Sequence, residues 1–143
     1  MLRFGGLYGP GAETTVAAAR LARRHLAMVL GHPGGYTSPV HMADAGSAVV
    51  AALAAPAGVY NVVDDEPVTR RELGRIIGRA VGARPWLHVP GRFTRLVGQQ
   101  GSALARSQRV SNRHLRAATG WSPSFPSSRQ GWANIVTNGH DRG

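Results

Sequence analysis

The stretch Leu2-Arg3-Phe4-Gly5-Gly6-Leu7-Tyr8-Gly9-Pro10-Gly11 decides how the rest of the chain is read. Leu2 to Phe4 reads as the end of a strand, and the glycines after it as a loop. Thr15 to Leu30 is alanine-rich, with Val16, Ala19, Leu26, Val29 and Leu30 at positions that suit a helix. Strand, glycine loop and helix in that order predict an α/β chain. Gly6, Gly9 and Gly11 stand where a dinucleotide loop would hold a pyrophosphate at a helix N-terminus. Three features count against that use. Pro10 removes a backbone N–H donor, the strand before the loop is a stub, and no second strand ending in an acidic residue follows, the region reading His32-Pro33-Gly34-Gly35.

Outward from this stretch the elements keep alternating. Gly31 to Gly35 is a turn, and Pro39 to Met42 is short and extended. Asp44 is placed to cap a helix running through Val49, Val50 and Leu53. Val59 to Val63 is strand-like. Thr69-Arg70-Arg71-Glu72 has the capping-box pattern and opens a helix carrying Leu73, Ile76, Ile77 and Val81, which stops at Gly82. Trp86 to Val89 predicts a strand, Phe93 to Val97 a helical turn, and Gln108 to Val110 an extended segment. Ser111 is placed to cap a helix to Ala118, ended by Gly120-Trp121. Ser127 to Val136 predicts a last helix, with a frayed tail from Thr137. There is no repeat and no linker, so residues 1–143 are expected to form a single domain.

The 143 residues are 43% hydrophobic and 17% charged, as in ordinary globular domains. Without cysteine there is no disulfide, thiolate metal site or cysteine nucleophile. No apolar run approaches a membrane span and no signal-like start is present, so a cytoplasmic protein with no membrane partner is expected. All 17 basic residues are arginine and the net charge is +10. The arginines are scattered and no aromatic platform is interleaved with them. A solvated surface is therefore preferred to nucleic-acid binding. The six histidines show no metal-ligand spacing, and no Gly-x-Ser-x-Gly elbow is present. Asp64-Asp65-Glu66 reads as a solvated loop before a helix rather than a metal or paired-carboxylate site.

Four segments in order resemble the C-terminal half of an extended short-chain dehydrogenase/reductase, the NAD-dependent epimerase/dehydratase family. Leu2 to Gly11 resembles the strand and loop after the catalytic helix. Pro39-Val40-His41-Met42-Ala43-Asp44 resembles its His-Val-x-Asp segment. Gly58-Val59-Tyr60-Asn61-Val62-Val63-Asp64 and the following helix resemble its Gly-x-Tyr-Asn strand and Glu-Leu helix. Ser107 to Asn112, with Gly120-Trp121-Ser122-Pro123 and Ser128-Arg129-Gln130-Gly131, resembles its closing region. The resemblance implies a partial Rossmann-type fold: the last strands of the parallel sheet plus the small mixed α/β substrate-binding region. By the same resemblance the N-terminal dinucleotide-binding part is expected to be absent from these residues.

The family's catalytic pair is a tyrosine with a lysine four residues later, whose charge lowers the tyrosine pKa. Tyr8, Tyr36 and Tyr60 are followed four residues on by Ala12, Val40 and Asp64, and no lysine exists, so no catalytic residue is assigned. NAD or NADP belongs to the full-length family, and none is expected on this chain by itself. The resemblance puts Phe4 beside the cofactor cleft. It assigns Gly5, Gly6, Leu7, Tyr8, Thr37, Ser38, His41 and Arg109 to substrate. Phe4 also reads as a plain core aromatic, Tyr8 as part of a structural Tyr-Gly-Pro turn, His41 as a packed residue bonded to backbone, and Arg109 as an ion-pair partner of Asp64 or Asp65. Gly6 stands where nucleotide-sugar epimerases carry an Asn. Tyr36-Thr37-Ser38 stands where they carry an Arg for the diphosphate.

Two readings follow. The chain is the substrate-binding portion of an NAD(P)-dependent sugar epimerase, dehydratase or oxidoreductase, with a sugar or other carbonyl or hydroxyl compound as substrate and a separate chain supplying the N-terminal half. Alternatively it is a non-catalytic binding or remnant module. The strand at Leu2 to Phe4, lacking neighbours, predicts self-association through an unpaired edge.

Overall fold

The computed structural model describes residues 1–27, 32–84, 87–88 and 107–140. In chain order the elements are β1 (Leu2–Phe4), β2 (Gly6–Tyr8), α1 (Glu13–Arg23), β3 (Leu26–Ala27), β4 (Tyr36–Thr37), β5 (Pro39–His41), α2 (Met42–Ala52), β6 (Tyr60–Val62), β7 (Val68–Thr69), α3 (Arg70–Ala80), β8 (Leu87–His88), α4 (Arg113–Thr119) and α5 (Ser128–His140). The fold is α/β, with three parallel strand pairs (β1 with β6, β2 with β5, β3 with β8) and one antiparallel pair, β4 with β7. Contacts group the chain into two compact units. One holds Met1–Pro10, Ser38–Pro67 and Arg109–Gly143; the other holds Gly11–Thr37 and Val68–Gln108.

In the first unit β1 runs beside β6 with Leu2 opposite Tyr60 and Phe4 opposite Val62. The chain then steps sideways at Gly5. The Gly5 amide donates to the Val62 carbonyl at 3.0 Å, the Gly6 amide to the Ser38 carbonyl at 3.1 Å, and β2 continues against β5. A side chain at Gly5 would drive into the Ser38 carbonyl and Val63 Cγ1, so the step requires glycine. The core comprises Val40, Ala45, Ala48, Tyr60, Val62, Leu115 and Trp121. α2 turns its small residues Ala45 and Ala48 inward, which lets the Trp121 indole approach and donate to Ser47 Oγ at 2.9 Å.

In the second unit α1 packs on α3, and each helix leads into one of the paired strands β3 and β8. Gly74 lets α3 lie close to β3, because a Cβ there would be 3.2 Å from the Ala27 methyl. Thr69 caps α3 as its sequence pattern predicts, its Oγ1 accepting the Glu72 amide at 3.2 Å. Gly82 follows the helix with φ +70°.

Several expected boundaries shift. The helix expected from Thr15 to Leu30 ends at Arg23. His25 takes a left-handed φ of 60° and Leu26 joins β3, because pairing with Leu87 satisfies a backbone that a longer helix would have kept. β2 forms a strand where a loop was expected, since β5 offers a parallel edge. Asp44 does not cap α2. The helix starts at Met42, two residues earlier, and His41 Nδ1 accepts the Ala43 amide at 3.3 Å in the cap position. Val59 to Val63 narrows to β6, and Gln108 to Val110 is irregular. Asn112, not Ser111, is the cap residue of α4, though Ser111 Oγ accepts the Arg113 amide at 3.2 Å. Gly120 ends that helix with φ 71°, and α5 continues past Val136 to His140. Within Trp86 to Val89, Leu87 and His88 form β8. Trp86, Val89, the stretch Phe93 to Val97 and the end of the first expected helix lie outside the described residues.

Candidate functional site

Eight of the nine residues expected at a binding site fall in the first unit; Thr37, in β4, belongs to the second. Phe4 is 41% and Leu7 48% exposed, and Gly6 and Arg109 are exposed too. Gly5 is half-buried. Gly5, Gly6 and Leu7 follow the carboxyl end of β1, where open α/β sheets bind ligands. Tyr8, Ser38 and His41 lie beneath, each buried. Register places Gly6 opposite Pro39, Leu7 opposite Val40 and Tyr8 opposite His41. Ser38 Oγ accepts the Val110 amide at 3.0 Å, tying the strand to the segment that carries Arg109.

Tyr8 is stacked on Trp132 with ring centroids 5.9 Å apart and planes 4° from parallel, and meets His41 edge-on at 5.4 Å. Its ring presses against Gly131 of α5, leaving no room for a side chain there. His41 also lies 4.2 Å from the Phe125 ring. One of its nitrogens is committed to the Ala43 amide, as the packed-histidine reading expects, while Nε2 has no hydrogen-bond partner. Burial lowers the His41 pKa, against the opposing pull of the Asp44 charge. Burial raises the Tyr8 pKa, and the charges of Asp64 and Asp44 raise it further. Both effects keep Tyr8 protonated, the reverse of what a catalytic tyrosine needs.

Asp64 is not in a solvated loop. It is 1% exposed, at the end of the strand Tyr60-Asn61-Val62 extended by the buried Val63. Burial pushes its pKa up to about 8. The backbone amides of Glu66 and Ser128 favour its charged form, but neither closes a hydrogen bond to either carboxyl oxygen, and desolvation dominates. Ser128 Oγ and Tyr8 Oη are likewise buried without a hydrogen-bond partner. The sequence signal for this burial was the apolar run Val62-Val63 leading straight into the aspartate. Asp65 behaves differently: it accepts from Asn112 Nδ2 at 2.8 Å and pairs with Arg116 at 3.1 Å. Asn112 also donates to the Val63 carbonyl at 2.9 Å, so this one side chain fixes the strand end to α4.

The glycine loop does not fit a pyrophosphate. The Gly5 and Gly6 amides are spent on the Val62 and Ser38 carbonyls, Pro10 has no N–H, and a Cβ at Gly9 would sit 2.9 Å from Met42 Cγ, so that glycine serves packing. Among the described residues no group of three or more His, Cys, Asp or Glu side chains could hold a metal ion. Among them, too, no helix is long and apolar enough to cross a membrane.

The parallel strand pairs with their helices define a partial Rossmann-type α/β fold. No family model matches the sequence. A Streptomyces 3-diazoavenalumate denitrifying reductase is 36% identical over 137 residues, which is 92% of this chain and 45% of the reductase. A human epimerase family protein solved with NADPH superposes with a TM-score of 0.86 at 26% identity, covering 96% of this chain and 48% of that one. The UDP-glucose 4-epimerase of Thermus thermophilus, solved with NAD, gives a TM-score of 0.72 at 25% identity, covering 99% and 46%. The chain spans about half the length of these relatives. Its structural neighbours are extended short-chain dehydrogenases/reductases of the NAD-dependent epimerase/dehydratase family, and the chain carries their fold over about half their length.

Proposed function

We propose that this chain is the substrate-binding portion of an NAD(P)-dependent cytoplasmic enzyme of that family, not catalytic by itself. Its partner is a cofactor-binding half carrying the Tyr-x-x-x-Lys pair, supplied as a separate chain or in a longer one. The observation that carries this reading is the Gly5–Tyr8 segment. It leaves the carboxyl end of β1, exposes Gly6 and Leu7, and is anchored below by Tyr8 and His41. In this reading residues 1–143 act as one substrate-binding portion. Phe4 faces the nicotinamide, and Gly5, Gly6, Leu7, Tyr8, Thr37, Ser38, His41 and Arg109 form the substrate wall. The substrate is a small sugar or another carbonyl or hydroxyl compound. Gly6 and Tyr36-Thr37-Ser38 replace the Asn and Arg that nucleotide-sugar epimerases carry, which favours a reductase acting on a substrate without a nucleotide diphosphate. The Streptomyces relative, named as a reductase, supports that direction.

Coexpression with the nucleotide-binding half of the Streptomyces relative tests this. The pair should oxidise NADPH with a suitable acceptor, and neither half should do so unaided. The isolated chain should bind NAD(H) or NADP(H) more weakly than about 1 µM, the equivalent of about 8 kcal/mol. Gly6→Leu should raise the substrate KM of the pair while leaving cofactor affinity nearly intact; an unchanged KM would remove Gly6 from the site. Ligand binding without turnover in any pairing would support a non-catalytic module instead.

A further inference from the structure

The positive charge that the sequence scatters is collected by the fold. Among the described residues, the second unit holds eight arginines, at 20, 23, 24, 70, 71, 75, 79 and 84, against Glu13 and Glu72. The first unit holds five arginines against four acidic residues, and two of its arginines are paired, Arg116 with Asp65 and Arg129 with Glu66. Of these eight arginines all except Arg70 are exposed, and among the described residues none of those seven is paired with a carboxylate.

Their placement is ordered. Arg71, Arg75 and Arg79 recur every fourth residue on α3, forming one row stepped by about 6 Å along the helix. Arg20, Arg23 and Arg24 occupy the end of α1. The parallel pairing of Leu26 with Leu87 brings the ends of both helices to the same side, and a contact of 3.1 Å between His25 Nδ1 and the Arg84 carbonyl closes that side. Local helix energetics explain only part of this. Cations at a helix C-terminus are favoured by its dipole, which accounts for Arg20, Arg23 and Arg79. Arg71 stands in the first turn of α3, where the dipole opposes it, and like charges four apart destabilise a helix. At Arg71 and in its like-charge spacing the row runs against the helix's own preference.

We propose that α1 and α3 together form a binding surface for the phosphate backbone of double-stranded nucleic acid, without sequence preference. This does not depend on the proposed enzymatic role. Guanidinium groups bind phosphate oxygens in pairs and stay charged at any working pH. The same unit exposes one large apolar side chain among its described residues, Val16 at 38%. Its described residues thus offer neither the apolar centre of a protein interface nor the apolar face of a membrane-surface helix. The absence of exposed stacking aromatics on α1 and α3 favours a duplex over a single strand.

Fluorescence anisotropy of the full chain with a labelled mixed-sequence duplex, from about 50 to 200 mM salt, tests the surface. Binding should weaken steeply with salt. The triple variant R71Q/R75Q/R79Q should lose about tenfold or more in affinity, with its log–log salt slope reduced by about 0.9 for each phosphate no longer neutralised. R20Q/R24Q, on the other helix, should lose affinity in the same direction, and circular dichroism should show both variants folded. R3Q/R113Q, in the first unit, should change little. No binding at the lowest salt, equal losses in the control and the triple variant, or tighter binding to phosphatidylserine vesicles than to duplex would overturn the proposal.

Discussion

Asp64 holds a proton that an exposed aspartate would give up. In the unfolded chain its carboxyl titrates in the ordinary range near 4; folded, burial moves it to about 8. Between those limits the folded form binds the extra proton, so stability falls as pH rises through the window and levels off above it. Asp64→Asn removes this dependence. The stability of the variant relative to the parent should be level below about pH 4 and rise from there to about pH 8, which thermal melts across that range measure. A gap that stays constant across that range would show that Asp64 is ionised throughout. Gly131 makes a simpler residue-scale case. Any side chain there meets the Tyr8 ring, so Gly131→Ala should cost about 1–3 kcal/mol in denaturant unfolding, even though alanine favours a helix. A neutral or stabilising result would mean that the Tyr8 ring moves aside freely.

At the scale of elements, the sequence located the helices better than it located their tethers. Thr69 and Gly120 announce their roles because caps and left-handed stops are local: a hydroxyl reaches an amide three residues on, and glycine alone takes positive φ without strain. Asp44 looked like such a cap and is not. Its two oxygens accept the amides of Ser124 and Phe125 at 2.7 and 3.0 Å, eighty residues away, so it joins α2 to the segment before α5. Asp44→Ala should therefore destabilise by about 1–3 kcal/mol per amide left unpaired, far beyond the fraction expected for a first-turn acid. Urea unfolding of the variant measures this, and a loss under about 0.5 kcal/mol would return Asp44 to a purely local role. The strand β2 was missed for the same reason: three residues beginning with glycine carry no strand period of their own, and only β5 makes them a strand.

For the whole molecule, the exposed apolar side chains set the behaviour in solution. Phe4 and Leu7 in the β1–β2 stretch, Val49 and Val50 on α2, and Leu53 just after it stand out from the first unit, Leu53 at 82% exposure. Among the described residues β1 pairs only with β6. A parallel strand is ordinarily flanked on both sides, and an open edge beside apolar residues attracts another chain. The isolated protein should self-associate or bind a hydrophobic dye, and adding a cofactor-binding half should suppress both. Sedimentation showing a monomer that binds no dye would instead mark a self-sufficient fold.

The sequence by itself determined the α/β order, the caps at Thr69 and Gly120, and the family likeness, since four short motifs in series survive in linear form. It also ruled out the Tyr-x-x-x-Lys pair, because a lysine either exists in the chain or does not. The tertiary structure decided which polar residues lose water. Asp44 and Asp64 have the same side chain and both are buried, yet one is tied to two distant amides and the other has no hydrogen-bond partner for either oxygen. It also brought the arginine-bearing helices α1 and α3 together in one unit. Burial, pairing and charge density depend on segments distant in the chain, and no local pattern encodes which of them will meet.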